Sequence, residues 1–257
     1  MLRLIELNIE KIEEAREIEM NKLRNVDSYR KEFLSNVSHE LRTPIFNIEG
    51  YIHTLLDGAL EDKNISTSYL RKAAENLERI TSLIDDLDAI SQLEPGRFAL
   101  EIREFDIVKL IYDVAEDLRR KAIQNNCYLI ISTHIDSCAV LADRERIRQV
   151  LINLVNNSIT YGKQGGTTTL SLSTDDSYCF VEVKDDGIGI SEEHLPRIFE
   201  RFYRVDKDRS RVKGGSGLGL SIVKHIIEAH QSVIQVESKS NAGTRFTFRI
   251  DRKTNEN

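Results

Sequence analysis

A histidine and a glutamate stand side by side at His39 and Glu40, within the segment Phe33–Pro44 of a 257-residue chain. An imidazole is a competent nucleophile near neutral pH, and a neighbouring carboxylate can orient the ring and help to remove its proton. For an isolated pair, a surface-exposed histidine without a role is the simpler interpretation. The chemical interpretation gains weight because glycine-rich segments suited to a nucleotide follow far downstream.

The first glycine-rich segment is Asp185–Ile190, which follows directly on a predicted strand. Its glycines, Gly187 and Gly189, permit close backbone approaches that a side chain would block. The carboxylate of Asp185 can accept a hydrogen bond from an exocyclic amine, such as that of adenine. For an isolated string of this type, a tight turn with a capping aspartate is the alternative.

The second glycine-rich segment, Gly214–Leu220, opens a predicted helix. Free backbone amides and the helix dipole at such a start favour a phosphate group. The segment matches neither the P-loop pattern, which requires a lysine before serine or threonine, nor the Rossmann pattern after a first strand. By itself it is not a specific signal.

Polar residues elsewhere in the chain suit a metal ion and phosphates. Asn153 and Asn157 lie four residues apart, so both amides share one helix face. Their oxygens are hard ligands suited to Mg²⁺, which usually keeps waters and phosphate oxygens in its shell. Arg204 could reach phosphate oxygens. Polar residues on a solvated helix face and a surface ion pair are the alternatives.

A seven-residue apolar repeat runs from Leu2 to Glu40 and predicts a long helix that needs a partner helix. An internal hairpin and a parallel dimer are both compatible with the repeat. His39 falls outside its two apolar positions, so we expect the imidazole to face solvent, whereas Glu40 occupies one of them. Pro44 removes a backbone donor, and a bend or a loosened turn is expected just after His39.

Two amphipathic helices are predicted in this part of the chain. Helical spacing continues after Pro44 to Leu56, Gly58–Asn64 indicates a turn, and Tyr69–Leu93 predicts the second helix. Two antiparallel helices bury their apolar stripes poorly alone, whereas two such hairpins form a four-helix bundle. We therefore expect a homodimer.

The pattern changes to mixed helices and strands after Glu94-Pro95-Gly96, where we predict a domain boundary. Asp106 and Asp143 are expected to cap helices that reach about Asn125 and Tyr161. The other predicted elements are helices over 191–199 and 216–230, and strands over 98–102, 127–133, 139–141, 167–173, 178–184, 233–237 and 244–250. This pattern indicates an α+β domain with one sheet covered on one face by helices.

Composition limits the classes of function. The net charge of −6 argues against a nucleic-acid-binding surface, so no nucleic acid is expected as a partner. The three cysteines show no metal-ligand spacing, which favours free thiols in a reducing cytosol. No apolar run approaches the roughly 20 residues that span a bilayer, although a membrane segment could precede the N-terminus.

In their order and spacing, these segments resemble the catalytic core of bacterial sensor histidine kinases of two-component systems. Each segment is similar to one of the family's sequence boxes: Phe33–Pro44 to the histidine box, Asn153–Asn157 to the asparagine box, Asp185–Ile190 to the first glycine box, Ile198–Asp206 to the phenylalanine box, and Gly215–Leu220 to the second glycine box. The resemblance covers about Val26 to Ile250, and five boxes in the family's order make it highly specific.

The resemblance implies an α+β architecture: a dimeric four-helix bundle with one helical hairpin per subunit, followed by an α/β sandwich ATP-binding domain of GHKL type. The implied domains are an N-terminal coiled-coil signalling helix (1–26), a dimerisation and histidine phosphotransfer hairpin (27–94), a hinge (95–97), a catalytic ATP-binding domain (98–251) and a disordered tail (252–257). It also implies the cytoplasmic portion of an inner-membrane sensor that is anchored upstream.

The resemblance further implies that His39 takes the γ-phosphoryl group of Mg-ATP, with Glu40 as its base, and passes it to an aspartate of a response regulator's receiver domain. Thr43 matches the position implicated in placing water for dephosphorylation of that receiver. Asn153 would hold Mg²⁺, and Asp185 would contact adenine. The other implied nucleotide contacts are Asn157, Tyr161, Gly187, Gly189, Arg204, Gly215, Gly217, Leu218, Gly219, Leu220 and Thr244.

Two departures from the family pattern stand in the sequence. Thr160 occupies a position where many members carry a lysine near the phosphates, and His230-Gln231-Ser232 replaces the usual His-Gly-Gly turn. We expect slower or weaker nucleotide use from these departures, not its loss. Two other functions remain as alternatives: a GHKL ATPase whose N-terminal helices only dimerise, and a receiver phosphatase or binding scaffold with little kinase activity.

Overall fold

The structure is a computed structural model that describes residues 16, 20, 31–92, 100–205 and 215–253. The chain divides into two compact units, Met1–Leu83 and Ile84–Asn257. Apart from residues 16 and 20, the predicted coiled coil over 1–26 lies outside the described residues. The predicted hinge at 95–97 and the end of the predicted tail also lie outside them.

The first unit is a helical hairpin. Helix α1 covers residues 31–54 and passes through Pro44 without interruption. A wide turn, Leu55–Ala59, follows it, and helix α2 then spans Lys63–Gln92, of which residues 63–83 belong to the first unit and residues 84–92 to the second. The prediction started α2 at Tyr69. The structure starts it earlier because Asp62 Oδ1 accepts hydrogen bonds from the amides of Asn64 and Ile65, which caps the first turn.

The described residues of the second unit include two β-sheets and three α-helices that begin after residue 100. Its elements are β1 (Arg103–Asp106), α3 (Ile107–Gln124), β2 (Tyr128–Ser132), β3 (Ala139–Ala142), α4 (Arg144–Tyr161), β4 (Thr167–Thr174), β5 (Tyr178–Asp185), α5 (Gly219–Ala229), β6 (Gln235–Lys239) and β7 (Gly243–Asp251). The large sheet has the strand order β2-β4-β5-β7-β6, and β1 pairs with β3 in a small antiparallel sheet. Among the described strands of the large sheet, β2 and β4 pair in parallel and the other neighbours pair antiparallel.

One face of the large sheet forms the core with the helices. Alternate residues of β4 and β5 are buried, as in Leu170 and Val181, while their neighbours are partly exposed. The buried faces of α3, α4 and α5 supply residues such as Val114, Leu151 and Ile226. The predicted sandwich, with helices on one face of a sheet, is confirmed. Asp106 and Asp143 also cap α3 and α4 as predicted, each accepting a hydrogen bond from a first-turn amide.

Four predicted elements of the second unit differ from the structure by two residues or more, among them β6, which begins at Gln235 and not at residue 233. Residues 100–102 are irregular and β1 begins at Arg103. The predicted helix over 191–199 is wrong: these residues form turns and a short 3₁₀ segment, Leu195–Arg197. The hydroxyl of Ser191 contacts Glu193 there and caps no helix. Helix α5 begins at Gly219 and not at Ser216, because the Ser216 hydroxyl accepts the Leu218 amide in a local turn.

The departure at Gln231 has a measurable consequence. Gln231 follows α5 with φ +55°, in the left-handed region, and its amide donates to the carbonyl of Glu228 at 2.9 Å. This is the position where helices commonly end with glycine, because a side chain there costs about 1–2 kcal/mol. We expect Gln231→Gly to raise the free energy of unfolding by about 1 kcal/mol, measured by urea denaturation. Gln235→Gly in strand β6 serves as the control and should lower it, since glycine weakens a strand. A loss of stability in Gln231→Gly would contradict this account.

Candidate functional site

His39 and Glu40 have different surroundings on α1. His39 is exposed, whereas the side chain of Glu40 is only 22% exposed and its Oε2 accepts a hydrogen bond from the Arg79 guanidinium of α2 at 3.0 Å. Thr43 is exposed and donates its hydroxyl to the His39 carbonyl at 3.3 Å. The imidazole can therefore be reached by a reactant, while the ion pair fixes one oxygen of Glu40 against the neighbouring helix.

The predicted asparagines lie on one face of α4 with Tyr161. Asn153, Asn157 and Tyr161 are half-buried, and the residues between them on the opposite face are buried. The amide nitrogen of Asn153 points to the carbonyl of Gly219 at 3.5 Å, which leaves Oδ1 as its acceptor. The neighbouring Asn156 is instead engaged by Lys121 at 2.8 Å. The face of α4 that carries Asn153 and Asn157 thus presents amide oxygens.

The donor chemistry of this face fits Mg²⁺, since that ion is often bound through one or two protein oxygens together with substrate phosphates. Within the described ranges, no group of three or more histidine, cysteine, aspartate or glutamate side chains could hold a metal ion. The amide oxygen of Asn153 would hold Mg²⁺ together with phosphate oxygens, and its role as a ligand stays a prediction.

Asp185 ends β5 and anchors the first glycine-rich segment. Its Oδ1 accepts hydrogen bonds from the amides of Gly187 at 2.8 Å and of Thr244 at 3.2 Å. Burial raises the pKa of Asp185, and these two bonds act in the opposite direction. In the part of the chain that the structure describes, no donor bonds Oδ2. Oδ2 is therefore the oxygen suited to an amine of a ligand.

Two glycines bring the first glycine-rich segment and the β6–β7 turn into close backbone contact. Gly189 has φ +63°, and a Cβ there would lie 2.0 Å from the Lys239 carbonyl oxygen. Gly243 has φ +88°, and a Cβ there would lie 2.0 Å from the Asp185 carbonyl oxygen. Only glycine fits either position. Thr244, next to Gly243, is therefore held beside Asp185, as their shared hydrogen bond shows.

The second glycine-rich segment lies against the same face of α4. A Cβ at Gly215 would be 3.5 Å from the Tyr161 hydroxyl, and one at Gly219 would be 3.5 Å from Asn153 Oδ1. Gly217 accepts the Phe202 amide at 2.9 Å. Leu218 is fully buried and Leu220 is half-buried, so the predicted contact of Leu218 with a ligand has no exposed side chain to make it.

Burial shifts the pKa values of two titratable groups in this part of the second unit. Burial raises the pKa of the Tyr161 phenol, and the nearby positive charge of Arg204 partly opposes that rise. A neutral hydroxyl and a guanidinium therefore stand close together, as suits a phosphate chain. The Ser216 hydroxyl donates to Asp86 at 2.9 Å within the same unit, and burial raises the pKa of Asp86 to about 6 despite that bond.

The structure adds residues that the sequence analysis did not single out. Arg79 pairs with Glu40, and the apolar-repeat position of Glu40 could have suggested it, because a carboxylate facing a helix partner needs a compensating cation. Ser238 bonds both Gly243 and Ile190. No sequence pattern pointed to Ser238, because its partners lie on two separate turns.

Two family models match the chain. Residues 29–96 match the His Kinase A (phospho-acceptor) domain, and residues 142–254 match the histidine kinase-, DNA gyrase B- and HSP90-like ATPase family. Sensor histidine kinase WalK of Bacillus subtilis (strain 168) is 35% identical over 89% of this chain. The solved structure of Acinetobacter baumannii histidine kinase AdeS is 28% identical, covers 84% of this chain and 98% of its own, and has a TM-score of 0.65.

This chain belongs to the sensor histidine kinases. The structure of histidine kinase ThkA in complex with response regulator protein TrrA is also similar, with 30% identity, a TM-score of 0.69, and coverage of 86% of this chain and 61% of that one. The predicted GHKL-type architecture is thereby confirmed. The chain spans only 38% of WalK. None of the helices described for this histidine kinase core is both long enough and apolar enough to cross a membrane.

Proposed function

We propose that this chain is an ATP-dependent histidine kinase core that phosphorylates His39 and passes the phosphoryl group to an aspartate of a response regulator. The observation that carries the proposal is the arrangement of both glycine-rich segments around the end of α4, with Asn153 and Tyr161 facing the second segment and Asp185 at the first. This arrangement offers an acceptor for adenine at one end and oxygen, hydroxyl and guanidinium groups for phosphates at the other.

The proposed transfer uses His39 of the first unit as the acceptor and the nucleotide site of the second unit as the donor site. One ring nitrogen of exposed His39 attacks the γ-phosphorus, the bond from that phosphorus to the bridging oxygen breaks, and ADP leaves. Glu40 accepts the proton from the imidazole, and the Arg79 ion pair holds its carboxylate on α1's inner side. Mg²⁺ held by Asn153 would neutralise phosphate charge. Positioning and charge neutralisation dominate this type of reaction.

The test is incubation of the chain with γ-labelled ATP and Mg²⁺, followed by addition of a receiver domain. We expect an acid-labile, base-stable adduct on the chain and then label on the receiver. Steady release of phosphate without labelled protein would instead support an ATPase. The ThkA–TrrA complex supports a receiver as the partner of this chain.

We also propose that the hairpin pairs with a second copy of itself. Ile45, Ile52 and Leu56 are 47–68% exposed and recur at spacings of seven and four along one side of helix 31–54 and its turn. Leu70 and Leu77 repeat at a spacing of seven on α2 and are 58% and 59% exposed. Apolar stripes of this kind need a partner. Sedimentation equilibrium should give twice the chain mass, and Ile52→Asp should shift it towards the monomer; a monomeric wild type would contradict the proposal.

Two finer activities rest on the same framework. Thr43 lies one turn after His39 and is exposed, and we propose that it places a water near the phosphorylated receiver, which would make the chain a phosphatase of its partner as well. Anchoring of the whole protein to the inner membrane, with this chain on the cytoplasmic side, is the setting that such a kinase core implies.

A further inference from the structure

The hydroxyl of Ser238 lies at the centre of three hydrogen bonds. It accepts the Ile190 amide at 2.8 Å, lies 2.8 Å from the Gly243 carbonyl oxygen, and lies 2.9 Å from the Thr244 hydroxyl. Ile190 belongs to the first glycine-rich segment, and the other two partners belong to the turn that faces it. Ser238 thus connects both backbone segments beside Asp185.

The number of available hydrogens determines the direction of each bond. The Gly243 carbonyl can only accept, so it takes the single hydrogen of the Ser238 hydroxyl. The Ile190 amide can only donate and occupies one lone pair of Ser238 Oγ. The Thr244 hydroxyl must therefore donate its hydrogen to the remaining lone pair of Ser238, although the distance alone would allow either direction.

This direction determines what Thr244 can offer a ligand. With its hydrogen directed at Ser238, Thr244 Oγ1 can present only lone pairs elsewhere. The Thr244 amide bonds Asp185 Oδ1, so the hydroxyl and the carboxylate belong to the same end of the proposed nucleotide pocket. That end consequently offers hydrogen-bond acceptors to a ligand. A purine with a 6-amino group can donate to acceptors, whereas a purine with a 6-oxo group would place an oxygen against them.

We propose that Ser238 is a specificity-determining residue that acts through Thr244: it orients the Thr244 hydroxyl so that the pocket selects a 6-amino purine nucleotide over a 6-oxo one. This inference rests on the proposed nucleotide site at Asp185. Ser238 itself is a positioning residue, because its hydroxyl is fully used by protein partners. Loss of Ser238 would free the Thr244 hydroxyl to rotate and donate to a 6-oxo group.

The test compares ADP with inosine diphosphate, which carries a 6-oxo group, by titration calorimetry on the full chain. We expect Ser238→Ala to lower the ratio of ADP to inosine diphosphate affinity about tenfold, roughly the effect of one hydrogen bond, and Ser238→Thr to restore it. Ser171→Ala on β4 serves as the matched control and should leave the ratio unchanged. In a Thr244→Val background, Ser238→Ala should no longer change the ratio.

The outcomes separate this inference from the proposed function. An unchanged ratio in Ser238→Ala, with ADP still bound, overturns the role of Ser238 alone. Equal weakening of both nucleotides also overturns it, because a merely structural residue would act in that way. If the wild type binds neither nucleotide, both the proposed nucleotide site and the role of Ser238 are overturned. Should Ser238→Ala fail to fold, Thr244→Val decides: a wild-type ratio in that variant overturns the inference.

Discussion

His39→Gln is expected to abolish transfer of labelled phosphate from ATP to the chain, with a loss beyond the detection limit, while the affinity for ADP stays within about twofold of wild type. Glutamine fits an exposed helical position but has no nucleophilic ring nitrogen. The residues placed around α4 belong to the other compact unit, so their geometry does not depend on this side chain. Labelled ATP with denaturing electrophoresis measures the first quantity, and calorimetry with ADP measures the second.

The chain supplies a matched control on the same helix. His53 lies on α1 with its side chain 67% exposed and 4.0 Å from Glu49, a carboxylate one turn away. His53→Gln should therefore retain full labelling, because exposure and a neighbouring carboxylate are not sufficient without the rest of the histidine box. Label that persists in His39→Gln and disappears in His53→Gln would move the phosphoacceptor to His53.

Asp185→Asn is expected to weaken ADP binding by about 10–100-fold, the range for loss of one hydrogen bond to a charged group. Asparagine keeps an oxygen that can accept the Gly187 and Thr244 amides, so the turn should persist. The replacement puts an NH₂ group where Oδ2 stood. Two donors, this group and the adenine amine, would then face each other. Titration calorimetry with ADP measures the affinity, and far-ultraviolet circular dichroism checks the fold.

Asp186 is the matched control for this substitution. It is the adjacent carboxylate, it is exposed, and its Oδ1 accepts the Thr167 amide at 2.9 Å. Asp186→Asn preserves that acceptor and should leave ADP affinity within about threefold of wild type, as expected for an exposed side chain outside the pocket. Equal losses in both variants would mean that net charge, and not the position of Oδ2, governs binding.

Local sequence signals predicted the secondary structure well where a single residue fixes the local backbone. Asp106 and Asp143 cap their helices because a carboxylate can accept first-turn amides without help from distant residues. Strands β4 and β5 follow the alternation of apolar and polar residues, and Asp175 forms the turn between them. The helix predicted over 191–199 was wrong because a capping serine is not sufficient to form a helix.

The location of His39 and of the glycine-rich segments could also be predicted from residue type and order. An exposed imidazole follows from its place outside the apolar repeat, and the close backbone approaches at Gly187 and Gly189 follow from the absence of side chains there. The roles of these residues in phosphoryl transfer stay predictions that the labelling and binding experiments test.

By itself, therefore, the sequence indicated the candidate reactive residues, most of the helices and strands, and the family. Only the tertiary structure decided the pairing of Glu40 with Arg79, the use of Asp185 Oδ1 by two backbone amides, and the contact of the Thr244 hydroxyl with Ser238. The physical reason is that the residues in these contacts lie far apart along the chain. These contacts join residues on different elements, and hydrogen-bond direction depends on all partners at once, which no local pattern records.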